Sequence, residues 1–458
     1  MERSGMMRVV SALLLAAASA ARAAPAAAAV HGAAPGVAPA PPLAPAAAPP
    51  PTEVMAGGQI RFSAFLAEVA ASNLDYAAQR YNVPIAEAQV VAARVSPNPV
   101  LAVGTSGRDV TDSGENREPA NNSFGLTQTV ELGGKRGKRV AVARANLAQA
   151  AATLEDFFRT LRGTAADAFI DALVNRRIAE EKKRSAEALD KLVEANRKRL
   201  EVGDVGEIDV TQSRVDALQF RSEFLAALSD AQAAAVGLEQ LLGRNRPSTT
   251  PVPVGDLEAP ARTLDEELLV QRALASRPDV IAAHRAFDSA RASFDLAKAM
   301  RVPDFDLGVT YQSNQRSHND VAPAPSYSSI GLSLSLPLPL WNRYRGEVEA
   351  ARQTALQAGV SLRAVEVRAR ADVRQAVARY RLANERVAQF VGGALADASA
   401  VYTAKLFSYE HGAATLLEVL NAQKTENDVR LAYLDALAER AKALVAAEQA
   451  AGTWDVDF

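Results

Sequence analysis

A chain of 458 residues with a formal net charge of −2 lacks the basic excess that nucleic-acid binders carry. Aromatics make up only 5 % while alanine is abundant, a balance that favours long helices packed through small side chains. With no cysteine, disulfides, thiolate metal sites, cysteine nucleophiles and a lipidated N-terminal cysteine are all excluded.

Met1 to Arg8 is short and basic, Val9 to Ala21 is apolar, and Ala21-Arg22-Ala23 has the small-x-small form of a cleavage site. Residues 1–23 therefore read as a secretory signal peptide, whose apolar core is too short to span a bilayer. No later segment has an apolar run of transmembrane-helix length. Residues 24–56 are rich in Ala and Pro and are expected to be a disordered tail.

The first structural repeat is placed at 57–246. A helical pattern runs from Phe62 to Arg94 with a break near Ser72-Asn73, and Ser96-Pro97-Asn98-Pro99 stops it. Strands are predicted near 99–107 and 122–131, separated by a polar loop. Glu131 to Gly137 is a junction, a helix follows to about Val202, Gly203-Asp204-Val205-Gly206 reverses the chain, and a second long helix runs to about Leu242. Residues 247–262 read as a linker.

The second repeat, 263–458, follows the same plan. It has a helix from Leu264 to Met300, strands near 304–312 and 328–336, and a junction from Pro337 to Gly346. A helix to about Glu410, a turn at Gly412 and a helix to about Gln449 complete it. Spacing supports the duplication: Pro97 to Phe124 and Pro303 to Ile330 are both 27 positions, and Gly137 to Gly203 and Gly346 to Gly412 are both 66. At about 1.5 Å rise per residue, 66 positions make a helix on the order of 100 Å long.

Two heptad seams run along these helices: Leu147, Ala151, Leu154, Phe158, Leu161, Ala165, Ala168 and Ala172, then Ala369, Val373, Ala376, Tyr380, Ala383, Val387, Phe390 and Ala394. The helices must pair side by side, and alanine at the seams permits close approach.

Phe305, Leu307, Val309 and Tyr311 alternate with polar or small residues, and so do Ile330, Leu332, Leu334 and Leu336. In the first pair of strands, Phe124, Leu126 and Val130 share their face with Gln128. A half-buried soluble sheet would show the same alternation. However, hairpins at the ends of such long helices have no soluble core to cover them, and bare edges would aggregate. The alternation suits strands facing lipid on one side and water on the other, with Phe305, Leu307, Val309, Ile330, Leu332, Leu334 and Leu336 toward lipid. Four strands are too few to close, since single-chain barrels begin at about eight; three copies supply twelve.

These residues together resemble the TolC-like outer-membrane factors, the exit ducts of tripartite efflux pumps and type I secretion systems. The resemblance covers about Ile60 to Ala450, and Glu131-Leu132-Gly133-Gly134-Lys135-Arg136-Gly137-Lys138-Arg139 is similar to the junction of the heavy-metal (cobalt-zinc-cadmium type) branch. The fold it implies is mainly α with a transmembrane β-barrel portion. A homotrimer closes a 12-stranded β-barrel in outer-membrane lipid, joined to an α-helical barrel across the periplasm. The implied partners are a periplasmic membrane-fusion adaptor and a proton-driven inner-membrane transporter. The adaptor would meet two tips, Gly203, Asp204, Val205 and Gly206 in the first half and Gly412, Ala413, Ala414 and Thr415 in the second.

The resemblance also implies a periplasmic gate. A tyrosine bonded to an aspartate in the family matches Tyr409 and Asp209, an assisting arginine is Ala414 here, and two constriction carboxylates fall on Glu418 and Asn421. Simple capping of the helix turn by Asp209 is the plainer alternative.

Gly133 to Arg139 lacks the spacing and the Ser or Thr of a phosphate loop, and His31, His284, His318 and His411 are scattered without metal-ligand spacing. No cofactor, metal site or catalytic motif is expected. The sequence reading is thus a passive duct for heavy-metal cations, with a multidrug or type I secretion duct as the alternative. A periplasmic coiled-coil scaffold without a pore is the remote one.

Overall fold

The computed structural model describes residues 58–106, 121–244, 251–316 and 325–458. The expected signal peptide, the Ala/Pro-rich tail and most of the polar loop after the first long strand lie outside these residues.

The fold is mainly α-helical with a small share of strand. In the first half, β1 (Gln59–Arg61) leads into α1 (Phe62–Ser72), α2 (Leu74–Arg80) and α3 (Asn82–Ala93), followed by β2 (Val100–Ser106) and β3 (Asn121–Val130). Then come α4 (Lys135–Glu201) and α5 (Glu207–Leu241). In the second half, β4 (Val252–Val254) precedes α6 (Glu266–Ser276) and α7 (Pro278–Ala299), then β5 (Phe305–Asn314) and β6 (Tyr327–Ser335). The chain ends with α8 (Arg345–Gln389), a π-helical segment (Phe390–Ala394), α9 (Leu395–Glu410) and α10 (Leu416–Ala451).

Several breaks have local causes. Asn73 ends α1 and caps α2, its side-chain oxygen accepting from the Tyr76 amide at 2.9 Å. The single helix expected from Leu264 to Met300 is two, because Pro278 forces the preceding Arg277 into extended backbone (φ −66°, ψ 125°). The expected linker is not free: β4 pairs in parallel with β1, and Leu257 is buried.

The two long helices differ. Helix α4 runs unbroken for 67 residues, about 100 Å. Its counterpart is interrupted at Phe390–Ala394, where Gly393 adopts φ 157°, a backbone that favours glycine. The expected second seam is buried from Ala369 to Val387 and fades at this interruption, with Phe390 half-buried and Ala394 exposed. The first seam is buried at Ala165 and Ala172 and half-buried at its other positions except Ala151, but it is not the whole of the buried face. Ala151 is exposed and Ala152 buried, and the buried set on α4 includes Ala166, Phe169, Ile170, Leu173 and Val174, wider than one stripe. The cause is that α4 packs against α3, α5, α7 and α10, so no single heptad face describes it.

The main core lies around the middle of α4. Phe169 is fully buried, with its ring centroid 5.3 Å from Phe62 and 5.6 Å from Phe65, and Phe62 meets Phe458 at 4.9 Å. Leu238, Tyr380, Val387, Leu437 and Val445 close the same cluster, which ties both halves together. Phe169→Ala should therefore cost about 3–5 kcal/mol through the cavity it leaves. The measurement is the midpoint of thermal unfolding, which should fall well below that of the parent.

Candidate functional site

Two regions hold the residues singled out from sequence: the long sheet and its junctions at one end of the helices, and the two helix turns at the other.

The sheet has the order β2-β3-β5-β6, all antiparallel. Its register places Leu101, Leu126, Val309 and Leu332 in one cross-strand row, Val103, Phe124, Tyr311 and Ile330 in the next, and Gln128, Leu307 and Leu334 in a third. Because side chains alternate, these rows share a face, and Phe305 opposite Val130 extends it. Gln128 is the polar exception, and it turns its amide to the carbonyls of Pro97 and Thr129, each at 2.9 Å. The other face carries Gly125, Thr127, Gly308, Thr310, Gly331, Ser333 and similar small or polar residues. The apolar face is open: Leu101, Val103, Ile330, Leu332 and Leu334 are all about two-thirds exposed or more. Among the described residues, strands β2 and β6 each leave an unpaired edge.

The junction after β3 is fastened internally. Gly133 and Gly134 both take left-handed backbone (φ 68° and 69°), which a run of L side chains would not adopt. A Cβ on Gly133 would meet Ala299 O and Val302 at 3.1 Å. Lys135 is buried and pairs with Asp304 at 2.8 Å, and the other oxygen of Asp304 accepts the Leu132 amide at 2.8 Å. Arg139 forms a two-pronged pair with Glu131, and Thr129 donates to Asp306 at 2.6 Å. Lys135 and Arg139 are thus held by carboxylates on both sides of the duplication, and Arg136 donates to the Arg94 carbonyl.

The two turns are built alike. At the end of α4, Gly203 (φ 85°) donates to Leu200 O at 3.0 Å and Asp204 to Arg199 O at 2.9 Å, a Schellman closure. At the end of α9, Gly412 (φ 75°) donates to Tyr409 O at 3.1 Å and Ala413 to Ser408 O at 2.7 Å. Three residues past each glycine stands the N-cap of the next helix, Gly206 and Thr415. The carboxylates of Asp209 and Glu418 accept the Gly206 and Thr415 amides at 3.2 Å and 3.0 Å. Glu418 also receives Lys405 Nζ at 3.1 Å. Around the turns Val202, Ile208 and Leu417 project apolar side chains into solvent.

The expected bond from Tyr409 to Asp209 is not made. The Tyr409 hydroxyl donates to Asn196 Oδ1 at 2.8 Å, while Asp209 is occupied as a cap. Tyr409 and Asn196 are both buried, with Arg199 over the phenol ring at 4.9 Å. Burial raises the phenol's pKa; Arg199 opposes that shift and Asp209 adds to it. Sequence reasoning missed Asn196, although it stands seven residues after the buried Leu189, where an apolar seam residue is the rule. Its Nδ2 is buried and has no partner among the described residues. Among the described residues, no group of three or more His, Asp or Glu could hold a metal ion.

Tyr409→Phe should leave the Asn196 side chain wholly unpaired and cost about 1–3 kcal/mol, read as a lower unfolding midpoint. The pKa of Glu418 is held below its ordinary value, first by the Thr415 amide and then by Lys405. Its contribution is therefore complete above the ordinary glutamate pKa and is lost as pH falls through the depressed folded value. Amide protection at Thr415, corrected for intrinsic exchange, should drop across that window, and Glu418→Gln should remove the pH dependence.

A family model described as "Outer membrane efflux protein" matches residues 65–244 and again 269–453. The chain is 24 % identical over 398 residues to the cobalt-zinc-cadmium resistance protein CzcC of Cupriavidus metallidurans, covering 87 % of this chain and 91 % of that protein. It is 28 % identical over 388 residues to the pyoverdine export outer membrane protein OpmQ of Pseudomonas putida, covering 79 % of each. Its fold matches the crystal structure of the Campylobacter jejuni CmeC outer membrane channel with a TM-score of 0.72 at 14 % identity, over 85 % of each chain. With both halves of its sequence matched, the chain belongs to the outer membrane efflux protein family.

Proposed function

We propose that this protein is a passive exit duct in the outer membrane. Three copies form a 12-stranded β-barrel continued by an α-helical barrel. A periplasmic adaptor and an inner-membrane transporter deliver the substrate. The observation that carries this reading is the four-stranded sheet with one apolar face, one polar face and two open edges. In a bilayer such edges must be closed by pairing, and further copies of the same sheet supply the pairs.

The duplication suggests how. Within the chain, β3 pairs with β5 so that Leu126 faces Val309. The repeat-equivalent pair is β6 with β2 of the next copy, in which Leu332 faces Val103 and Leu334 faces Leu101. That register joins the apolar rows of neighbouring copies, with Thr105 opposite Ile330 and Gln128 as the polar exceptions.

The cargo is read as general rather than as heavy-metal cations. The motif that carried the metal-branch resemblance is absorbed in internal pairs, Lys135 with Asp304 and Arg139 with Glu131. The curated relatives are named for metal resistance and for pyoverdine export alike. Selection then lies with the transporter upstream, as the alternative of a multidrug or secretion duct requires. The exposed Val202, Ile208 and Leu417 beside the turns suit an apolar adaptor tip, and Tyr409, Asp209 and Glu418 hold those turns in their resting form.

Purified protein in planar bilayers should give uniform conductance steps; a scaffold without a pore gives none. Tyr409→Phe combined with Asp209→Ala removes a buried bond and a cap, and each 1.4 kcal/mol lost shifts a closed-to-open balance about tenfold. Open time should rise accordingly, and unchanged gating would remove these residues from the gate.

A further inference from the structure

Only one of the two sheet-to-helix junctions is covered by its own chain. The junction after β3 buries Lys135 and packs Gly133 on Ala299 and Val302. In the junction after β6, Leu338 and Leu340 are 67 % and 60 % exposed and Trp341 is 92 % exposed.

The alternation of β6 does not stop where its pairing does. Register with β5 ends at Ser335, yet leucines continue at 336, 338 and 340. The positions between them are Pro337 and Pro339, which have no N–H. A strand from a second copy would find few donors there, so this ribbon is a poor template for pairing. Between residues 336 and 340 the two prolines carry no N–H and the Leu340 amide donates to Leu338 O at 2.8 Å, which leaves two amides, those of Leu336 and Leu338, to be desolvated in hydrocarbon, where each unpaired N–H is costly. Next come Trp341, whose ring suits the membrane–water interface, and the exposed cations Arg343 and Arg345. Apolar row, indole and guanidinium follow one another in the order of acyl chain, interface and headgroup phosphate.

We propose that residues 336–345 anchor the protein in the periplasmic leaflet of the outer membrane. Leu338 and Leu340 lie in acyl chains, Trp341 at the glycerol level, and Arg343 and Arg345 on phospholipid phosphates. This anchor rests on the duct reading, and its test separates the two.

The chain has two tryptophans, and Trp454 is set apart, partly buried with Arg162 over its ring at 5.0 Å. Full-length Trp454→Phe is reconstituted in vesicles of phosphatidylethanolamine and phosphatidylglycerol brominated at shallow or deep acyl positions. Circular dichroism matching the parent establishes folding. Trp341 emission should be quenched more by shallow than by deep bromines, and lipid should shield it from aqueous acrylamide. In a Trp341→Phe/Trp454→Phe background, Leu332→Trp reports the apolar face of the sheet and should be quenched by deep bromines. Quenching at position 332 without quenching at Trp341 overturns the anchor and leaves the duct. Quenching at neither overturns the duct and the anchor with it. Trp341 shielded from bromine and acrylamide together means that a second copy covers it, and the anchor is wrong. Adding Arg343→Glu with Arg345→Glu should lower shallow quenching about twofold; unchanged quenching overturns the role of the arginines.

Discussion

The structure depends on one constraint, that backbone donors and acceptors at a sheet edge must be paired wherever water is absent. The four long strands satisfy one another internally and leave β2 and β6 open. Their apolar face excludes an aqueous setting for that side, while the Gly, Ser and Thr face excludes a dry one for the other. On the duct reading, both requirements are met at once when the sheet is continued by copies of itself into a barrel. The long helices then follow as the continuation of the same wall.

The duplicated halves use the same turn chemistry and different junction chemistry. Both helix turns combine a left-handed glycine with a carboxylate cap three residues into the next helix, at Gly203 with Asp209 and at Gly412 with Glu418. The junctions diverge. The one inside the chain is locked by Lys135 and Asp304, and the one beside the open edge presents prolines, leucines and Trp341. The helices diverge too, since the π-helical interruption at Phe390–Ala394 has no counterpart in the continuous α4. A bend of this kind separates the tip pair, α9 with α10, from the core-packed part of α8.

Strands, helix turns and junctions were legible in the sequence because each rests on short-range rules: period-2 alternation in Ile330 to Leu336, and glycines where left-handed backbone is needed. Packing was legible only in part. The seam from Ala369 to Val387 is buried as its spacing predicts, but spacing alone carries on through Ala394, and the pair Gly392-Gly393 was the sign that it should not. The seam on α4 holds at all its positions but Ala151 and is incomplete because a helix with neighbours on several sides buries more than one stripe. Resemblance to a family gave Tyr409 the partner Asp209, whereas the fold brings Asn196 to its hydroxyl from over 200 residues away. The junction motif read as a mark of metal cargo is occupied in holding the halves together.

On the duct reading, this sheet is closed by copies of the same chain in the register given by the duplication. A chain without cysteine allows a direct test through the double variant Val103→Cys with Leu332→Cys, oxidised in membranes. Within one chain these positions lie three strand spacings apart, about 14 Å along the sheet, beyond the Cα separation of up to about 6.8 Å that a disulfide accepts. Covalent dimers and trimers are expected, with Val103→Cys alone and Leu332→Cys alone giving no such ladder. Oxidation that leaves the double variant entirely monomeric would contradict it.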